Sequence, residues 1–294
     1  MILTKILNNV FSNLNQREKD ILFRRFGFEG GEETLEELAQ DYNLTRERIR
    51  QIQGQALNKV IPVLKLDSET TELIEKSKKF LKPIGIRREQ SFLNLIQSEF
   101  NFSYQEIKIF KFLAIFSPKI IFYQGDEDLH NFYASEEKIL KICRHLLKKI
   151  YFNFLEKKRL YSEDKLLSLV LEEIKRHLGI QPEYNDLLDF LKILKNIDKN
   201  PFNFWGLRSN NFIAPKCLKD KIILIFKLEK KSLHFKEIYQ KLNELAKIKD
   251  ESIHYFWYKN YNVNSIKNEL IRHPEFILVK RGVYYLKENL INNG

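Results

Sequence analysis

Arg46, Glu47, Arg50 and Gln51 are four hydrogen-bonding side chains spaced to share one face over two helical turns. Their chemistry suits the edges of base pairs. An arginine can grip guanine O6 and N7 with two N–H groups, glutamine suits adenine, and a glutamate accepts from cytosine N4. Arg48, between them, is placed for a phosphate or a solvent-facing ion pair.

The elements that must position this set lie in residues 34–60, TLEELAQDYNLTRERIRQIQGQALNKV. Thr34 with Glu37 three residues on forms a capping box, and Leu35, Leu38, Ala39 and Tyr42 follow as one apolar helical stripe. Asn43 stands where the chain needs a left-handed residue, a conformation that Asn tolerates. Leu44 is an apolar plug for the angle between helices, and Thr45 is the next N-cap. In the second helix Ile49, Ile52, Ala56 and Val60 share a stripe while the polar four point away. This is helix-turn-helix patterning, with the second helix suited to the major groove. A helical hairpin with a solvated charged face is the alternative reading.

The stretch TLEELAQDYNLTRERIRQIQGQAL resembles the fourth conserved region of housekeeping-type bacterial sigma factors. The likeness extends back through residues 14–18 and Arg25-Phe26-Gly27. It implies that TRERIRQI is a recognition helix reading the upstream promoter element in double-stranded DNA. Base reading then falls to Arg46, Glu47, Arg50 and Gln51, and backbone contact to Thr45 and Arg48. Core RNA polymerase is a second implied partner. Gln53, Gln55 and Asn58 depart from the charges usual there, and Gly54 costs a helix about 1 kcal/mol against Ala, so DNA reading is implied more strongly than activator contact. The aromatic promoter-melting region of a working sigma factor has no place ahead of this segment, so a complete sigma factor is not expected.

A net charge of +11 and a pI near 9.3 favour a polyanionic partner. The excess is uneven: residues 1–65 hold 10 Lys and Arg against 9 Asp and Glu, but residues 216–294 hold 16 against 9. Hydrophobic residues at 44% and charged ones at 30% describe a folded chain. Cys143 and Cys217 lack a CxxC partner, so neither a disulfide framework nor zinc is expected, and a reducing cytoplasm (with DNA, the bacterial nucleoid) is. The start MILTKILNNVF is too short and polar for a signal peptide, and no apolar run could span a membrane. His145 and His177 have no ligand spacing to another donor.

The fold class expected is mainly α. Residues 1–65 form a four-helix module holding the helix-turn-helix, with Asn15 and Glu18 as a capping box, Gly27 as a helix stop and Pro62 marking its end. Residues 66–134 are helical, and the order of helices and a hairpin at 120–134 suggests a degenerate winged helix. Residues 135–214 are a helical middle region, with a strand pair or packed turn around NPFNFWGL. Residues 215–294 are a winged helix with a small β-hairpin, its first helix opened by Pro215. LHFKEI, NVNSIKNELI and FILVKRGVYYL in this last part resemble the HARE-type winged-helix domain known from the delta subunit of bacterial RNA polymerase. Its cations Lys267, Arg272, Lys280 and Arg281 are placed for phosphates beside the wing; a solubilising surface is the alternative. The aromatic insertion at 251–261 is a departure from that pattern.

No phosphate loop, metal cluster, nucleophile elbow or paired-carboxylate signature occurs, so no cofactor, no metal and no enzymatic activity are expected. Three functions are weighed: a sequence-specific regulator of transcription initiation, a polymerase-docking accessory protein, and an enzyme whose site lies in the middle region.

Overall fold

The computed structural model describes residues 2–248 and 253–287, and positions 251 and 252 of the insertion lie outside them. The described chain is mainly helical with small antiparallel sheets, as the hydrophobic periodicity predicts. No described helix is long and apolar enough to cross a membrane.

Four helices come first: α1 (Ile2–Val10), α2 (Gln16–Phe26), α3 (Leu35–Asp41) and α4 (Arg46–Leu66). After them one element order is met three times along the chain: helix, strand, helix, helix, strand, strand. The first round is α5 (Ser68–Ser77), β1 (Ile86–Arg88), α6 (Glu89–Phe100), α7 (Tyr104–Phe116), β2 (Ile121–Tyr123) and β3 (Phe132–Ala134). The second is α8 (Glu137–Lys157), β4 (Tyr161–Ser162), α9 (Glu163–Leu178), α10 (Tyr184–Leu191), β5 (Ile197–Lys199) and β6 (Phe204–Leu207). The third is α11 (Leu218–Glu229), β7 (Leu233–His234), α12 (Phe235–Leu245), α13 (Val263–Arg272), β8 (Phe276–Lys280) and β9 (Val283–Leu286). In each round the last strand lies between the other two: β1-β3-β2, β4-β6-β5 and β7-β9-β8.

The chain divides into two compact units, residues 1–147 with 173–193, and residues 148–172 with 194–294. In the first unit a single core runs from α1 to β3. It joins Leu3, Leu7, Phe11 and Leu22 to Ala56, Val60 and Leu64 of α4, and to Phe92, Phe110, Phe112 and Leu113 of α6 and α7. Its densest part is aromatic. The Phe112 ring meets Phe26 at 4.7 Å, Phe28 at 5.5 Å and Phe11 at 5.7 Å, each edge to face. Lys108 of the same helix donates to the carbonyls of Gly27 (3.0 Å) and Gly30 (2.6 Å).

That core explains a correction. Pro62 does not end α4, which runs on to Leu66. A proline inside a helix forfeits one hydrogen bond and costs about 3 kcal/mol. Val60 and Leu64, on either side of it, are fully buried in the shared core, each side chain contributing about 1.5–3 kcal/mol. Asp67 then ends α4 and caps α5, its carboxylate accepting from the Thr70 N–H at 2.7 Å.

In the second unit Pro215 also falls outside its expected helix. The Asp220 carboxylate accepts from the backbone N–H groups of Lys216 and Cys217, and this sets the start of α11 at Leu218. The insertion has a structural role there. Trp257 is buried against Leu224 and Ile253, and its indole N–H donates to Ile213 at 2.8 Å. Lys221, itself buried, donates to the Phe256 carbonyl and lies over the rings of Trp257 (5.5 Å) and Tyr261 (4.8 Å).

Two predictions follow from these cores. Phe112→Ala should cost about 3–5 kcal/mol, and segment-resolved hydrogen exchange should rise in α1 and α2 as well as in α6. Exchange raised only in α6 and α7 would show two cores instead of one. Burial, with Lys259 adding repulsion, pushes the Lys221 amine down to about 8 from 10.5. Between those values the unfolded chain holds the extra proton, so the folded state gains stability as pH rises. Urea midpoints from pH 8 to 10.5 should therefore climb in the wild type relative to Lys221→Met.

Candidate nucleic-acid interface

The helix-turn-helix has its own small core of Ile21, Leu38, Ala39, Ile49 and Ile52, closed at the edge by Leu35, Tyr42 and Leu44. The local signals set its geometry. Thr34 and Glu37 complete a capping box on α3, with the Glu37 carboxylate accepting from the Thr34 N–H at 2.6 Å. Asn43 takes φ +51°, and the Leu44 N–H returns to the Ala39 carbonyl at 2.9 Å, closing the turn. The Thr45 hydroxyl accepts from the Arg48 N–H at 3.2 Å and so caps α4.

Arg46, Glu47, Arg48, Arg50 and Gln51 are all exposed on the first two turns of α4, while Ile49 and Ile52 on its other side are buried. Four of the five are linked. Glu47 holds Arg50 through both carboxylate oxygens, to Nε and Nη2, each at 2.7 Å. Gln51 Nε2 donates to Glu47 at 3.3 Å, and Arg48 Nη1 donates to Gln51 Oε1 at 3.2 Å. The hydrogen bond from Arg50 is the leading cause that holds the Glu47 carboxyl below the ordinary carboxylate range. A guanidinium has five N–H donors and the pair uses two, so Arg50 retains the fork that a guanine edge requires. The free first-turn N–H groups of a long helix add a site favourable to phosphate.

Sequence reasoning missed what holds this face to the rest of its unit. Arg24 of α2 binds Glu33 through Nε at 2.8 Å and also pairs with Asp41 at the end of α3. The Tyr42 hydroxyl donates to Asp20 at 2.5 Å, and Arg17 stacks on the Tyr42 ring at 4.9 Å. Glu18 serves twice. It accepts from the Asn15 N–H at 3.0 Å as the capping box predicts, and it takes Lys59 of α4 at 2.6 Å. The long separation of Glu18 and Lys59 leaves no local signal for that pair.

The C-terminal cations are placed in the second unit. Lys267 and Arg272 are exposed on α13, and Lys280 and Arg281 are exposed at the β8–β9 turn. The equivalent helices of the other two rounds differ. α7 is largely buried in the first unit's core, and Lys111 on it pairs with Glu89 at 3.4 Å. α10 is acidic, with Asp186 and Asp189 both facing Arg87 of β1. Among the described residues no group of three His, Cys, Asp or Glu could hold a metal ion. Cys143 is buried, which pushes its thiol up to about 12, away from reactive thiolate.

Burial raises the Glu18 carboxyl, but the hydrogen bonds from Lys59 and the Asn15 N–H outweigh it and hold the group below 4.5. A depressed carboxylate contributes stability above its unfolded value, and that contribution is lost as pH falls through the folded one. Acid titration of the urea midpoint below pH 4.5 should accordingly fall more steeply in the wild type than in Glu18→Gln. Parallel curves would remove Glu18 from the stability of this face.

Residues 10–60 match the family described as Sigma-70, region 4. The RNA polymerase sigma factors SigA of Microcystis aeruginosa and of Synechocystis sp. are each 48% identical to this chain over 60 residues, which is 20% of this chain and 14% of each of them. RpoD of Helicobacter pylori is 41% identical over 56 residues, 18% of this chain and 8% of that protein. The chain thus spans 14% or less of the length of these relatives. No solved structure matches it.

Proposed function

We propose that this protein is a sequence-reading, double-stranded-DNA-binding regulator of transcription initiation, with α4 in the major groove. The observation that carries the reading is the exposed, mutually hydrogen-bonded set Glu47, Arg50 and Gln51, with Arg46 beside it, on the helix of a segment that matches Sigma-70 region 4. Pre-set side chains lose less freedom on binding than loose ones. Arg46 and Arg50 read guanine, Gln51 adenine and Glu47 cytosine N4. Thr45, whose hydroxyl hydrogen is left to donate, and Arg48 hold phosphates.

Residues 215–294 are read as a winged helix of the HARE type. Its helix α13 and its hairpin present the exposed cations Lys267, Arg272, Lys280 and Arg281 to the DNA backbone, whereas α7 and α10 are given over to the fold. The protein thus grips DNA by its two terminal modules and uses the central rounds as scaffold, with no catalytic role and no cofactor. Core RNA polymerase is the second partner, a reading favoured by the sigma-factor relatives of residues 10–60.

Selection of bound duplexes from a random library, at two salt concentrations, tests this. Wild type should enrich one site, and Arg50→Ala should cost about 1–3 kcal/mol and relax a single base position. Enrichment of nothing, with binding that only fades with salt, would make α4 a docking surface. Co-purification with core polymerase unchanged by Arg50→Ala would then make polymerase docking the primary function.

A further inference from the structure

A cleft of about 310 Å³ opens in the first unit between the loop before β1, the start of α8 and the end of α9. Its apolar lining comes from Leu81 and Ile84, both buried, and from Ile139, Leu178 and Ile180, each half-buried. Backbone hydrogen bonds hold it in shape. The Gly85 N–H donates to the Leu81 carbonyl at 2.8 Å, and the Ser135 N–H donates to the Gly85 carbonyl at 2.8 Å. Gly85 takes φ +88°, and a Cβ there would meet Ile139 and Ser135 at 2.9 Å, so only glycine lets this loop close on the start of α8. The cleft is therefore built by the fold, with a volume at the lower end of the range of small-molecule sites.

Its polar groups are few and of both signs. Lys78 is taken by Glu75 at 3.2 Å. Lys82 and Glu136 are exposed at the cleft, and among the described residues neither side chain has a partner, nor do the two pair with each other. The Ser135 hydroxyl also lines the cleft and is likewise unbonded among the described residues. A free cation and a free carboxylate beside an apolar surface select against most small molecules. A fatty or aromatic acid meets repulsion from Glu136, an apolar amine meets it from Lys82, and a neutral oil leaves both charges unused.

We propose that this cleft binds a free apolar α-amino acid. The carboxylate of the amino acid pairs with Lys82 and accepts from the Ser135 hydroxyl, its ammonium pairs with Glu136, and its side chain covers Leu81, Ile84 and Ile139. The site shares no residue with the polar face of α4 and does not depend on the DNA reading. Leu81 does belong to the core that includes Val60 and Leu64 of α4, so a ligand held here stabilises the unit that carries α4.

Titration calorimetry of the full chain with L-leucine, L-phenylalanine and glycine tests it. The two apolar amino acids should bind saturably, and glycine, which has nothing to place in the cleft, should not. Lys82→Ala and Glu136→Gln should each weaken L-leucine by about threefold to fivefold, the scale of an exposed ion pair. Two analogues separate the charges. Isocaproate, which lacks only the ammonium, should lose nothing to Glu136→Gln, and isoamylamine, which lacks only the carboxylate, should lose nothing to Lys82→Ala. Both substituted side chains are exposed, so the urea midpoints of the unliganded variants should match wild type. Absence of saturable binding by either apolar amino acid overturns the proposal, as does binding indifferent to both substitutions or equal binding of glycine. Each of those results leaves the DNA reading intact, because no duplex enters the measurement.

Discussion

The edge-to-face cluster around Phe112 is the contact on which the N-terminal unit depends. A helix-turn-helix of this size buries little apolar surface by itself: its private core is five side chains and three partly covered ones. Small cores are marginal. The larger core beside it holds Phe11, Phe26 and Phe28, and α7 supplies Phe112 and Phe116 to meet them. The helix that the third round leaves in solvent is here consumed in packing, and Lys108 is drawn onto the backbone carbonyls of the 27–30 turn. A polar exposed face on α4 and an apolar anchoring face on the same helix are two outcomes of one arrangement.

The three rounds of helix, strand, helix, helix, strand, strand share one sheet order yet put their third helices to different uses. α7 is sealed by aromatic packing, α10 is held by a buried-side arginine, and α13 keeps Asn264, Lys267, Asn268 and Arg272 in solvent. Composition already hinted at this, since the surplus of positive charge lies in the last segment. What differs between rounds is thus the polarity of one helix, and the backbone plan stays the same.

Short-range chemistry was legible in the sequence. Capping at Asn15, Thr34 and Thr45, the left-handed Asn43 and the glycine stop at 27 all follow from residue type and spacing, and each is present. The polar face of α4 followed from the same periodicity. Proline was read too strictly at 62, because a local rule was outweighed by burial of residues on both sides, and at 215, because Asp220 capped a later start. β4 is two residues long, too short for any alternation to register. Glu18 with Lys59, and Lys221 among Trp257 and Tyr261, pair residues far apart in sequence, where no spacing rule applies.

The unbroken course of α4 has a mechanical meaning. At 1.5 Å per residue its 21 residues make a rod of about 31 Å. One end carries the exposed Arg46, Glu47, Arg50 and Gln51, the other is clamped into the core shared with α5 to α7, and Asp67 alone separates it from the next helix. The helix is continuous over that length, with Pro62 inside it. On the DNA-binding reading proposed above, the angle at which its tip seats on DNA would dictate where the rest of this unit stands above the double helix, so its footprint would be set by geometry and not by a tether.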